Sequence, residues 1–349
     1  MPSTSSPRYR LYGVLGSPYV AKLRALFRYR RIPFDYLPAS FDWAPSFDLV
    51  RPELQHVKPR IVPVVWFPRD GTYRVDSSVI ALDLEELHHE RSLIPDDPAQ
   101  AFLSLMLEDM GDEWLLKIAF QYRWGNEEDR NYTNRVVMGE LLGGRLPLDD
   151  IERAAQEFRD RQVSRMPLVG CTPENGPAID ETYRRVLAGI ESFRQSRGFL
   201  FGGRPCLGDF GMFGALFTCR NDPTAARFMK ARSLGTIDWT YSLDEASGVE
   251  GDWLATGADP GPGVRGILDV AGQAYLPFLR ENKAAFEAGR DKVSLRIFGS
   301  PYAQAPFRYQ VKCLSEIRRA YAALDGAAKE RVDGLLRDTG CLEVLRDGR

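Results

Sequence analysis

Apolar positions change their spacing along this chain, and the change predicts an α/β segment followed by helices. Tyr9 to Gly13 ("YRLYG") reads as a short strand, and residues 17–31 place Val20, Leu23, Ala25, Leu26 and Phe27 as the apolar positions of an amphipathic helix. "PFDYLPA" predicts a second strand. "IVPVVWF" and "TYRV" predict a hairpin joined by "PRDG", where Pro, Asp and Gly supply the turn. "DSSVIALDLEELHH" predicts a helix with Asp76 or Ser77 placed to cap it. Residues 42–57, interrupted by prolines, suggest an irregular helix, so the order over residues 8–90 is β-α-β-α-β-β-α.

"RSLIPDDPAQ" then reads as a linker, and helical spacing follows in residues 97–240. "AFLSLMLEDMGDEWLLKIAFQYRW" predicts one long helix, and "DDIERAAQEFRDRQVSR", "IDETYRRVLAGIESFRQS" and "LGDFGMFGALFTC" three more. Residues 244–266, rich in Gly, Asp and Pro, read as a loop. Residues 267–349 read as a helical extension built on "AGQAYLPFLRENKAAFEAG", "RYQVKCLSEIRRAYAAL" and "AAKERVDGLLRDTG". Phe307, Val311, Leu314, Ile317, Tyr321 and Leu324 form a stripe too apolar to stay in water. That stripe either packs on the helical domain or covers the open side of a substrate site, with residues 244–266 letting the tail reach back. The opening "MPSTSSPR" reads as a short disordered lead, and the chain has no internal repeat.

Composition narrows the chemistry. The 349 residues carry a net charge of −2, which gives no bulk reason to expect nucleic acid or an anionic membrane as partner. Cys171, Cys206, Cys219, Cys313 and Cys341 are odd in number and widely separated, which fits neither a disulfide framework nor a zinc knuckle. With no signal peptide and no long apolar run, the expected compartment is the reducing cytoplasm, and no metal is expected. His56, His88 and His89 are the three histidines, and adjacent His88 and His89 point in different directions on a helix, so a serine–histidine hydrolase has little support.

The stretch "GSPYVAK" holds the most informative residue. A strand, a turn and a helix opening on Ser17-Pro18 is the layout of a thioredoxin-like domain, whose site residue lies at the N-terminus of the first helix. The partial positive charge and free N–H groups there favour an anion. Ser17-Pro18-Tyr19-Val20 contains no sulfur, so thiol–disulfide exchange at this position is excluded. A serine can instead stabilise the thiolate of a bound thiol. A thiol of pKa about 8.5 is only about 3% ionised at pH 7. Lowering that pKa by about two units takes about 2.7 kcal/mol. A hydrogen bond to a charged group contributes roughly 1.5–3 kcal/mol and the helix terminus roughly 0.3–1 kcal/mol, so no histidine is needed. The plainer reading is that Ser17 only caps the helix, with Pro18 at its favoured first position.

Two further stretches complete a constellation. In "RIVPVV", Val62-Pro63 opens a strand, and in "VDSSVIALDLEE" an acid and two hydroxyls stand at a helix start. With "SPYVAKLRALF", these resemble the glutathione transferase superfamily, most closely its serine-type members of the tau and zeta kind, in a longer and less characterised branch. The resemblance implies an α/β thioredoxin-like domain followed by an all-α domain, here with an extra helical tail. It implies that Ser17 stabilises the thiolate, that Val62 and cis Pro63 present backbone to the cysteinyl part of glutathione, and that Asp76 and Ser77 hold the γ-glutamyl end. Where the family often has a lysine before the Val-Pro pair this chain has Ile61, with Lys58 or Arg60 as substitutes. "GFLFGGRPCLGDFGMFGALF" resembles the family's capping-box segment, with Cys206 in place of Ser or Thr and Asp209 kept.

The activity implied is a glutathione transferase acting on a small apolar electrophile, in a cytoplasmic homodimer with glutathione as co-substrate. The alternatives are a glutathione-dependent isomerase or ether-cleaving enzyme, or a binding protein of the same fold without turnover. Tyr19, Trp114 and Tyr122 are the candidates for the second substrate, although Trp114 and Tyr122 also read as core. Glu113 and Lys117, four apart on a helix, read as a surface ion pair.

Overall fold

The computed structural model describes residues 8–346, so the first seven residues of the expected disordered lead lie outside the described residues. The α/β segment runs β1 (Tyr9–Gly13), α1 (Pro18–Tyr29), β2 (Phe34–Pro38), β3 (Val64–Phe67), β4 (Thr72–Val75) and α2 (Ser77–Leu87). The sheet order is β2-β1-β3-β4, with β1 and β2 parallel and the other pairs antiparallel. Side-chain alternation sends Leu11 and Val65 into the core with α1, and Tyr12 and Val64 to the opposite face. That second face is covered by Phe41, Leu54 and Val57, so the proline-broken stretch 42–57 acts as a cover holding a single 3₁₀ turn, Pro52–Leu54, instead of a helix.

The helical part continues with α3 (Pro98–Met110), α4 (Leu116–Gly125), α5 (Glu127–Leu142), α6 (Leu148–Ser164), α7 (Gly176–Arg194), α8 (Leu207–Asn221), α9 (Pro223–Arg232) and α10 (Leu234–Asp244). The expected long helix is α3 and α4 joined by a π-helical turn, Gly111–Leu115. Gly111 lies where α8 crosses: a Cβ there would sit 2.4 Å from the backbone carbon of Gly211. The glycine pair lets the two helices approach closely enough to bring α8 under α1.

The C-terminal extension is not wholly helical. It runs α11 (Gly261–Val270), α12 (Leu276–Glu287), β5 (Val293–Ile297), β6 (Ser300–Gln304), α13 (Arg308–Ala322), α14 (Gly326–Asp338) and α15 (Leu342–Arg346). β5 and β6 form an antiparallel hairpin whose turn residues, Phe298 at φ 49° and Gly299 at φ 79°, are both left-handed, as a tight two-residue hairpin turn requires. Ile267, Leu268, Leu279, Leu314 and Ile317 are fully buried in the same apolar core as α3, α7 and α8. Among the described residues no helix is long and apolar enough to cross a membrane.

Candidate functional site

Ser17 stands in extended conformation (φ −89°, ψ 125°) as the N-cap of α1, with Pro18 in the first turn. Its side chain makes no capping hydrogen bond, so the hydroxyl is left for other work. The segment before it is clamped by the helical part. Glu140 of α5 accepts from Leu15 N at 3.0 Å, and Arg123 of α4 donates to Gly16 O while pairing with buried Asp222 at 2.7 Å. The position of Ser17 is therefore set by two domains at once.

Ser17 opens on a cavity of about 430 Å³, which Tyr19, Val62 and Lys117 also line. One wall is aromatic: Trp43 stacks on Phe158 at 5.1 Å, and Trp124 meets Phe158 edge-on at 5.5 Å. Another wall comes from the C-terminal extension, through Gln304, Phe307 and Gln310. Of the apolar stripe, Leu314 and Ile317 are buried in the core, and Phe307 at its start lines the cavity.

Val62-Pro63 is a cis peptide, as is Lys58-Pro59. Arg60 forms a bidentate pair with Asp42, at 2.7 and 2.8 Å. Asp76 caps α2: its Oδ1 accepts from Ser78 N at 3.1 Å and from Val79 N at 3.4 Å. Its backbone takes a positive φ of 76°, a strained conformation for a residue with a side chain. The Tyr309 hydroxyl of α13 donates to Asp76 Oδ2 at 3.0 Å. Ser77 is buried and donates to Asp112 Oδ2 at 3.2 Å.

Asp112 belongs to a buried cluster that sequence reading missed. Lys22 of α1 is fully buried and bonds Glu108 and Asp112, the latter at 2.6 Å, with the Ser77 and Ser78 hydroxyls both at 3.4 Å. Burial, against the pull of Lys22 and with the repulsion of Glu108, pushes Asp112 up to about 7. Two carboxylates share one ammonium, so the attraction of Lys22 offsets only part of what burial and the second carboxylate cost Asp112. A lysine on the apolar face of a predicted helix was the available signal.

The three second-substrate candidates separate. Tyr19 lines the cavity, and its hydroxyl donates to Asp112 O at 3.1 Å. Trp114 is 1% exposed, donates to Thr182 Oγ1 and packs on Phe278 and Tyr302, away from the cavity lining. Tyr122 packs against Tyr183 and Phe228, also off the lining. The expected surface ion pair of Glu113 and Lys117 is absent: Lys117 is 3% exposed and donates to Val169 O at 2.9 Å and Gln304 Oε1 at 2.8 Å. Its helix faces the hairpin β5–β6, which the helical reading of the tail did not foresee. The capping box expected at Cys206 and Asp209 forms: Asp209 Oδ2 accepts from the Cys206 N–H at 3.0 Å, and the Cys206 thiol donates to the same oxygen at 3.1 Å. Among the described residues no group of three His, Cys, Asp or Glu side chains could hold a metal ion.

No curated protein matches this chain. Solved structures similar to it include a glutathione S-transferase from Methylobacterium radiotolerans in complex with glutathione sulfonate (20% identity, 72% of this chain and 99% of that one, TM-score 0.41). FzlA from C. crescentus is similar at 19% identity, over 75% of this chain and 92% of that one, with a TM-score of 0.40. Beta-etherase LigF from Sphingobium sp. strain SYK-6 is similar at 15% identity, over 68% of this chain and 95% of that one, with a TM-score of 0.43. Likeness at this level carries no argument about activity. The firmer match is local: residues 11–92, which hold Ser17, Val62, Pro63, Asp76 and Ser77, match the family model of the glutathione S-transferase N-terminal domain.

Proposed function

We propose that the protein is a glutathione transferase in which Ser17 holds the glutathione thiolate for attack on an electrophile in the adjoining cavity. The observation that carries this is the uncommitted Ser17 hydroxyl at the N-terminus of α1, opening on a cavity with aromatic walls. Val62, Pro63, Asp76 and Ser77 are the proposed glutathione contacts, by the family match of residues 11–92. The hydroxyl and the helix terminus together can lower a thiol pKa by about two units, as their energies of roughly 1.5–3 and 0.3–1 kcal/mol allow. Attack by that thiolate forms the carbon–sulfur bond and expels the leaving group of a haloaromatic, or adds to an unsaturated carbon whose neighbour then takes a proton from water. Tyr19 is the proposed contact to the electrophile. A cytoplasmic homodimer belongs to the same reading and rests on the resemblance alone.

A second reading has its own support. Tyr309 occupies Asp76 and Asp112 occupies Ser77, so both proposed γ-glutamyl contacts already have partners within the chain. That favours a binding protein of this fold that turns nothing over. Incubation with glutathione and a panel of haloaromatic and unsaturated electrophiles, followed by mass spectrometry, separates the two. A thioether above the uncatalysed background supports the transferase. Its absence across the panel, with no glutathione binding by calorimetry, supports the binding protein.

A further inference from the structure

Lys117 is a buried cation without a counter-ion. It is 3% exposed, lines the cavity, and gives two of its three N–H groups to neutral acceptors, Val169 O and Gln304 Oε1. The rings of Trp114, Phe278 and Tyr302 lie 5.2, 5.0 and 5.9 Å from its nitrogen. Among the described residues it makes no ion pair. Rings and neutral oxygens replace water only in part, and a buried charge in such a setting is strongly favoured by an anion.

The rest of the lining points the same way. Arg60 is answered by Asp42 and Arg123 by Asp222, but Arg161 and Arg165 have no ion-pair partner among the described residues. The acid on the lining, Glu113, accepts from Gln310 and is pushed by burial toward its neutral form. The cavity therefore combines aromatic walls with a net positive lining, which draws anions in.

We propose that Lys117 is an anion-binding group of the second-substrate site, and that the electrophile is an aromatic carboxylate instead of the neutral apolar molecule expected from sequence. This rests on the reading of the cavity as the second-substrate site. Hydrophobic walls hold the ring, and the carboxylate takes the free N–H of Lys117 as a charge-assisted hydrogen bond. Lys117, Gln304 and Val169 come from α4, β6 and the segment before α7, none of which carries the proposed glutathione contacts. The groups facing Lys117 are Glu113, Cys171 and Tyr302, and burial raises the pKa of all three. Burial pulls Lys117 itself down to about 8, so its charge is lost over a range where thiol and phenol keep their protons.

The test is binding of para-nitrobenzoate and para-nitrobenzamide, which do not react with thiols, to the full chain by calorimetry, with and without glutathione. The benzoate should bind about tenfold or more tightly than the amide, the worth of one charge-assisted hydrogen bond. The preference should fade between about pH 7 and about pH 9 in the wild type. In Lys117→Met, of circular dichroism matching the wild type, it should shrink to about twofold or less and lose its pH dependence. Should that variant not fold, Lys117→Gln, which keeps hydrogen-bond donors without the charge, takes its place. An equal affinity for the two ligands, or a preference unchanged in Lys117→Met or flat with pH, overturns the proposal. Thioether formation from a chloronitrobenzoate and its amide then separates the two claims. A benzoate preference without any thioether upholds the anion site and removes the transferase. Thioether from both, with a ratio that Lys117→Met leaves alone, does the reverse.

Discussion

The Tyr309 hydroxyl donates to Asp76 Oδ2 at 3.0 Å and so joins positions 233 residues apart. The C-terminal extension is thereby tied to the cap of α2, beside the cavity that Phe307 and Gln310 help to enclose. A ligand ammonium that reaches Asp76 must share this carboxylate with the phenol.

Tyr309→Phe removes that competitor while keeping the ring. The expected result is a glutathione KM about 2–10-fold lower, the worth of one hydrogen bond, with kcat little changed. Steady-state kinetics checks it. A glutathione KM that rises would mean that Tyr309 orients Asp76 for the ligand.

Lys22 joins α1 to α3 and the π turn from a site fully closed to solvent. Lys22→Met leaves Glu108 and Asp112 together without a cation, and the expected loss of stability is about 3–5 kcal/mol. Urea denaturation measures it. A loss below about 1 kcal/mol would show that water or a proton compensates the pair.

Asp112 gives a pH dependence of defined sign. Its folded pKa of about 7 lies above the ordinary aspartate value, so its contribution to stability is complete below about pH 4. As the pH rises to about 7 the unfolded chain releases this proton first, and up to about 4 kcal/mol is lost. Asp112→Asn cannot release it. The stability of Asp112→Asn relative to wild type should therefore climb between about pH 4 and about pH 7. Parallel stability curves for the two proteins would place the proton elsewhere in the trio.

The sequence carried the α/β half well because its signals are local. A cap at Asp76, a turn at Asp70-Gly71 and an apolar helix after Ser17 each occupy only a few residues. Within the helical stretch 97–240 the sequence does not single out α5, because its first turns, "EEDRNYTN", show almost no apolar face, although Val137, Met138 and Leu141 are buried further along. The hairpin β5–β6 was lost inside a helical reading, though Val293, Leu295 and Ile297 alternate and Phe298-Gly299 turns. Lys117 was misread for a related reason. Spacing to Glu113 suggests a surface pair, and only the packing of β6 against α4 turns that position into the interior. A long-range partner leaves no mark at four-residue spacing.

The central claim is that the Ser17 hydroxyl stabilises the thiolate of bound glutathione. Titration of the bound thiol by its ultraviolet thiolate absorbance, in wild type and in Ser17→Ala, tests it without any second substrate. The wild type should show a thiol pKa about two units below the free value of about 8.5. Ser17→Ala should recover about one to two of those units, with the glutathione dissociation constant changed by less than about threefold. The same thiol pKa in both proteins would contradict the account.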